Sequence, residues 1–149
     1  MRVQSSLLKR SLPFVALSAV ATAGLVTPAL AYPNDFVGTW KNTDTNNPGI
    51  TRLVVEKNSS GKLTIRAYGK CYPSDCDFGK TSLVTYGKTV SDKDHIYATA
   101  NYTFSFKKAL LALELNTSDR KKLCLRDYNQ FTDNSGRQDY STRECFKRS

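Results

Sequence analysis

The residues whose types could do chemistry are few. Cys71 and Cys76 bracket four residues within GKCYPSDCDFGK, residues 69–80, with Asp75 and Asp77 beside them, and Cys124 and Cys145 lie toward the C-terminus. Thiols and carboxylates gathered in this way can ligate a metal, run a thiol–disulfide cycle, or end as structural bridges. A thioredoxin-type pair wants Cys-x-x-Cys at the start of a helix, and neither condition is met. A zinc site would need all four thiols reduced and convergent. Two aspartates fall short of the oxygen cage that calcium requires. An even cysteine count in an exported chain argues for disulfides instead, so we expect no metal and no cofactor.

His95 is the single histidine. It follows Ser-Asp-Lys-Asp at the start of a strand-like run, and nothing marks a serine or cysteine as a nucleophile for it to activate. Asp127 and Glu144 are of the right type for an acid–base carboxylate pair, but no motif surrounds them. We expect no catalytic residue and a protein that binds rather than reacts.

Which cysteines pair follows from the elements that must hold them. FTDNSGRQDY, residues 131–140, places a turn at Asp133–Gly136, and a symmetric hairpin about that turn opposes residues whose numbers sum to 269. Cys124 and Cys145 satisfy that sum. Directly opposed residues at a non-hydrogen-bonded site have Cα atoms about 4.5 Å apart, within disulfide reach. Cys71 and Cys76 are then left for each other, as a staple on a loop bent by Pro73.

The same register sorts the two strands into faces. Leu123, Leu125, Asp127, Asn129 and Phe131 share a face with Phe146, Glu144, Thr142, Tyr140 and Gln138, and this face should look inward. It starts apolar and turns polar toward the tip. Buried polar groups need partners, so either water and a ligand supply them or the tip stands clear of the core. The opposite face carries Lys122, Arg126, Arg143 and Lys147, with Tyr128 among them. Arg126 and Arg143 fall opposite each other, which costs stability unless an anion sits near. This basic strip could take phosphate or sulfate groups, and a solvated face with its charges splayed is the plainer alternative.

The rest of the chain reads as further strands. Alternating runs rich in Val, Ile, Leu, Thr, Tyr and Phe cover 36–42, 50–57, 62–68, 80–86, 95–106, 110–115, 122–132 and 138–147, separated by Asn-, Asp-, Ser-, Gly- and Pro-rich turns. LLALEL could form a helical turn but has no cap. Eight short strands on tight connections predict an all-β fold, an antiparallel up-and-down barrel, with an open sandwich as the alternative.

Ahead of the strands, Arg2, Lys9 and Arg10 precede a short apolar run that ends in Pro-Ala-Leu-Ala. This is the pattern of a secretory signal peptide, residues 1–31, cut after Ala31. Residues 32–149 then form a single domain that is secreted or periplasmic, with no membrane span. The whole chain carries +9, and the leader holds three of those charges and no acidic residue, which leaves +6 on the domain. A basic exported domain tends to meet anionic surfaces, although ordinary solubility asks for as much. No specific nucleic-acid motif is present. Asn58, Asn101 and Asn116 each begin an N-x-S/T triplet, which a glycosylating host could use.

FVGTW, residues 36–40, resembles the Gly-x-Trp motif that opens the first strand of calycin barrels, the lipocalin and avidin superfamily. The resemblance implies that Trp40 plugs the barrel floor under a basic residue near the chain end, Arg148 being best placed ahead of Arg143 and Lys147. GKCYPSDCDFGK and FTDNSGRQDY are also similar to segments of a group of small secreted bacterial proteins, which supplies no function. A calycin-like design implies a small-ligand carrier. Its pocket would have Trp40, Leu63, Ile65, Leu111 and Leu113 at the apolar end and Asn129, Tyr140 and Glu144 at the mouth. The competing expectation is a protein-interaction module, a secreted protease inhibitor or a binder of anionic glycans and surfaces through the basic outer face. No oligomeric state follows from the sequence, though Leu110 and Ala112 would form an outward apolar patch.

Overall fold

Alternation along the chain becomes alternation between inside and outside. In the run from Lys107 to Leu115, Ala109, Leu111, Leu113 and Leu115 are buried while Lys108, Leu110 and Glu114 are exposed. The same period of two runs through a computed structural model of the chain, which describes residues 33–149. The proposed leader and its cut site lie outside the described residues. A single 3-10 turn, Pro33–Phe36, is followed by eight strands. These are β1 (Gly38–Asn42), β2 (Ile50–Lys57), β3 (Leu63–Gly69), β4 (Cys76–Tyr86), β5 (Tyr97–Thr103), β6 (Lys107–Leu115), β7 (Lys122–Phe131) and β8 (Tyr140–Arg148).

Each strand pairs antiparallel with the next, and β8 returns to β1. The result is a closed eight-stranded up-and-down barrel, the architecture compatible with a calycin-like fold. Closure leaves no free sheet edge. It is made at a short seam, because β1 and β8 share three registered pairs: Trp40 with Arg148, Lys41 with Lys147, and Asn42 with Phe146.

The β7–β8 hairpin has the expected register, with Cys124 opposite Cys145 and Arg126 opposite Arg143. Cys124 and Cys145 are bridged at a Cα separation of 4.1 Å, and Cys71 is bridged to Cys76 at 5.4 Å. Both bridges fit a protein that meets an oxidising compartment. No helix among the described residues is long and apolar enough to cross a membrane.

β1 and β8 each begin two residues later than expected, at Gly38 and Tyr140, and larger departures occur at three places. β4 begins at Cys76, not Lys80, so half of the stapled segment is strand. A register shift against β3 and a positive φ at Gly79 (85°) carry the chain through a bulge there, after which Asp77 and Cys76 pair with Tyr68 and Gly69. The bulge turns Phe78 over Gly69, where a Cβ would stand 2.2 Å from the ring. LLALEL is strand, within a β6 that starts at Lys107 instead of Leu110. β5 is shorter than its hydrophobic run, since Phe104–Phe106 form the turn into β6.

Candidate functional site

The floor of the barrel is closed by Trp40. Its ring is fully buried, and its Nε1 donates to the Phe36 carbonyl at 2.8 Å. The Arg148 guanidinium lies 4.5 Å from the ring centroid and donates through Nη1 to the Val37 carbonyl at 2.6 Å and through Nη2 to the Asp35 carbonyl. Indole, guanidinium and the carbonyls of Asp35, Phe36 and Val37 thus satisfy one another where the 3-10 turn and the start of β1 meet the end of β8. The basic cover is Arg148, with Lys147 pointing outward beside it.

Above this floor the interior is packed. Leu63, Ile65, Leu111 and Leu113, the expected apolar end of a pocket, lie in one continuous core with Leu53, Val55, Leu83, Leu123, Leu125 and Phe146. Asn129 and Glu144 are buried near the open end, while Tyr140 stands at the rim, about half exposed. Between Ile50, Phe78, Tyr102, Phe104, Lys107 and Asp127 a cleft of about 10 Å³ remains, room for one water at most.

The open end is sealed by polar side chains. Glu144 Oε2 accepts from the Ile50 amide at 3.0 Å and from Asn42 Nδ2 at 2.9 Å, which ties β8 to the starts and ends of β1 and β2 beyond their ladder. Gly49 passes so close that a Cβ there would stand 2.2 Å from Glu144 Oε1. Burial, with some repulsion from Asp127, pushes the Glu144 carboxyl above its usual range, and the Ile50 amide holds it down in part. Burial likewise raises the Asp127 carboxyl against the opposing pull of Asn129 and Lys107. Lys107 Nζ donates to Asn129 Oδ1 at 2.6 Å, while Asn129 Nδ2 and Asp127 Oδ1 find no partner meeting hydrogen-bond geometry. The Tyr102 hydroxyl donates to the Ile65 carbonyl at 3.0 Å, and burial lifts its pKa to about 12. These groups span the mouth as a plug.

His95 is half-buried, and its Nδ1 shares a 2.8 Å hydrogen bond with Thr85 Oγ1. Among the described residues no group of three or more histidines, cysteines and acids could hold a metal, and no cysteine is free. The stapled loop carries Tyr72 almost fully exposed at its tip, and Thr51 Oγ1 anchors it by donating to Asp75 Oδ2 at 2.6 Å.

The outer wall is different in kind. Lys122 stands opposite Lys147, Lys147 opposite Lys41, and Lys41 opposite Arg52, so one cross-strand row carries four cations over β7, β8, β1 and β2. Arg126 and Arg143 form a second opposed pair four residues along, beyond the Cys124–Cys145 bridge. Lys122 has a carboxylate, Asp119, at 3.3 Å, and Arg52 packs on the Tyr68 ring at 3.8 Å. Among the described residues, Lys41, Lys147, Arg126 and Arg143 have no carboxylate partner. Lys122 and Arg143 also border a groove of about 400 Å³ that runs beside the Cys124–Cys145 bridge, with Glu114 on its wall. Opposed like charges destabilise a sheet. Sequence reading found Lys122, Arg126, Arg143 and Lys147 but missed Lys41 and Arg52, which join the row only through closure of the barrel.

Fold and surface together define a small, disulfide-bonded, closed β-barrel of a kind compatible with a binding protein. Comparison of the chain with models of known protein families, with curated proteins and with solved structures returned no match.

Proposed function

We propose that this is an exported binding protein that engages an anionic polymer or surface through the outer face of β7, β8, β1 and β2, and that it binds rather than catalyses. The observation that carries this reading is the row Lys122–Lys147–Lys41–Arg52 with the Arg126–Arg143 pair beside it. Cations held opposite one another on a rigid sheet raise the local positive potential, and a polyanion relieves their repulsion while gaining several contacts at once. Arginine pairs add the fork geometry that suits sulfate, phosphate and carboxylate.

The interior supports this choice over a calycin-type carrier. A small ligand needs a pocket of hundreds of cubic ångströms, and the cleft under the mouth measures about 10 Å³. The two disulfides accord with secretion or a periplasmic location, where acidic glycans and anionic lipid headgroups are met.

Heparin affinity chromatography tests the reading. The wild-type domain is expected to be retained and to elute with added salt, as screening weakens its contacts. Arg126→Glu combined with Arg143→Glu should elute at clearly lower salt. Equal elution of the two proteins would remove the basic face from the function.

A further inference from the structure

An open groove of about 560 Å³ on the outer wall includes Tyr128 and Ser141, the opposed pair that follows Arg126–Arg143 on the same face of the hairpin. Two residues from the arginine pair, Tyr128 stands opposite Ser141 and, on its other side, opposite Leu110. Tyr128 and Leu110 on the wall are each more than a third exposed, and Tyr140, equally open, borders the groove from the rim. The groove's remaining walls include Asn101, Lys108, Gln130 and Asp139. It therefore offers ring faces to lie on, planar amides, a carboxylate and a lysine able to hydrogen-bond hydroxyl groups, with the Arg126–Arg143 guanidiniums on the same face just beyond its lining.

That combination has a chemical signature. A purely inorganic polyanion uses the cations and has no need of the rings or the amides. A sugar ring presents an apolar C–H face and an edge of hydroxyls, which match an aromatic platform flanked by groups that both donate and accept. Single-stranded nucleic acid also stacks on aromatic rings, but its groove must follow the backbone with positive charge. Here one lysine, Lys108, and one carboxylate, Asp139, are the charges that line the groove, and the arginines lie beyond its end, so no positive track follows it. We infer that the polyanion is an acidic polysaccharide, with a sugar ring against Tyr128 and its sulfate or carboxylate on Arg126 and Arg143.

This inference rests on the basic-face reading, and the test separates the two. Binding of heparin, inorganic polyphosphate and single-stranded DNA is measured at one fixed salt concentration for four proteins. These are the wild type, Tyr128→Ala, Tyr128→Phe, and Arg126→Glu with Arg143→Glu. Tyr128→Ala should weaken heparin binding by up to about tenfold, the size of one aromatic contact, and leave polyphosphate binding unchanged. Tyr128→Phe should bind heparin like the wild type, since the ring is kept. The arginine reversals should weaken both ligands. Equal heparin binding by Tyr128→Ala and the wild type would overturn the polysaccharide inference and leave the basic-face reading standing. So would tighter binding of DNA than of heparin. Arginine reversals without effect on any ligand would overturn both.

Discussion

At the scale of single residues, the open end holds two acids whose burial disfavours their charged forms. Asp127 and Glu144 both have folded-state pKa values above those of the unfolded chain, mainly because burial disfavours their charge. The native state therefore binds their protons more tightly than the unfolded state does. Stability from this source is fully present below the unfolded carboxylate range and is lost as pH rises through the folded values. Asp127 is the better probe of the two, because Glu144 also ties the β1–β8 seam, whereas among the described residues Asp127 makes no hydrogen bond to another strand's backbone and feels only the pull of Asn129 and Lys107. Asp127→Asn removes the charge and keeps the shape. It should raise stability at neutral pH by roughly 1 kcal/mol, a few degrees in Tm, and flatten the fall in stability between mildly acidic and neutral pH. Thermal melts across that range would show it. A lower Tm with an unchanged pH slope would mean that Asp127 is ionised and well solvated in the native barrel.

At the scale of elements, the alternation that made each strand recognisable also assigned its faces. The β7–β8 register was legible because one turn, Asp133–Gly136, fixes every pair that follows, including the Cys124–Cys145 bridge. The early start of β4 was not legible, because prolines and glycines read as loop while the Gly79 bulge lets pairing resume beyond them. Nor could sequence align β8 with β1. No turn joins those strands, so their offset depends on the closure of all eight, and the Lys147–Lys41 contact emerges only then. The contact has an energetic consequence. Lys147 is opposed by a lysine on each side, so Lys147→Glu converts two repulsive pairs into attractive ones. Each such pair contributes roughly 0.2–1 kcal/mol, so the variant should be more stable than wild type in low salt, and the difference should shrink as salt is added. Urea melts at low and high ionic strength would test this. A variant less stable than wild type at low salt would show that these lysines do not face one another closely.

For the whole molecule, a packed interior turns attention to the outer wall. A Gly-x-Trp opening implies a calycin-like barrel, and the Trp40–Arg148 floor has the arrangement that the resemblance implies. A motif of three residues specifies the floor, whereas the volume above it depends on strand length and side-chain size around the whole circuit. Here those add up to a filled core and a polar plug. The charge on the outside is organised, with cations stacked across β7, β8, β1 and β2 and the acids Asp77 and Glu56 paired to Arg66 and Lys80 elsewhere on the wall. The most direct measurement is an NMR titration of the isotope-labelled domain with a short heparin fragment, following backbone amide shifts. Perturbations should cluster on Lys41, Arg52, Lys122, Arg126, Arg143 and Lys147 and their neighbours, and fade as salt is raised. Perturbations centred on Phe104, Phe106 and Phe131 at the open end, or scattered evenly over the barrel, would contradict it.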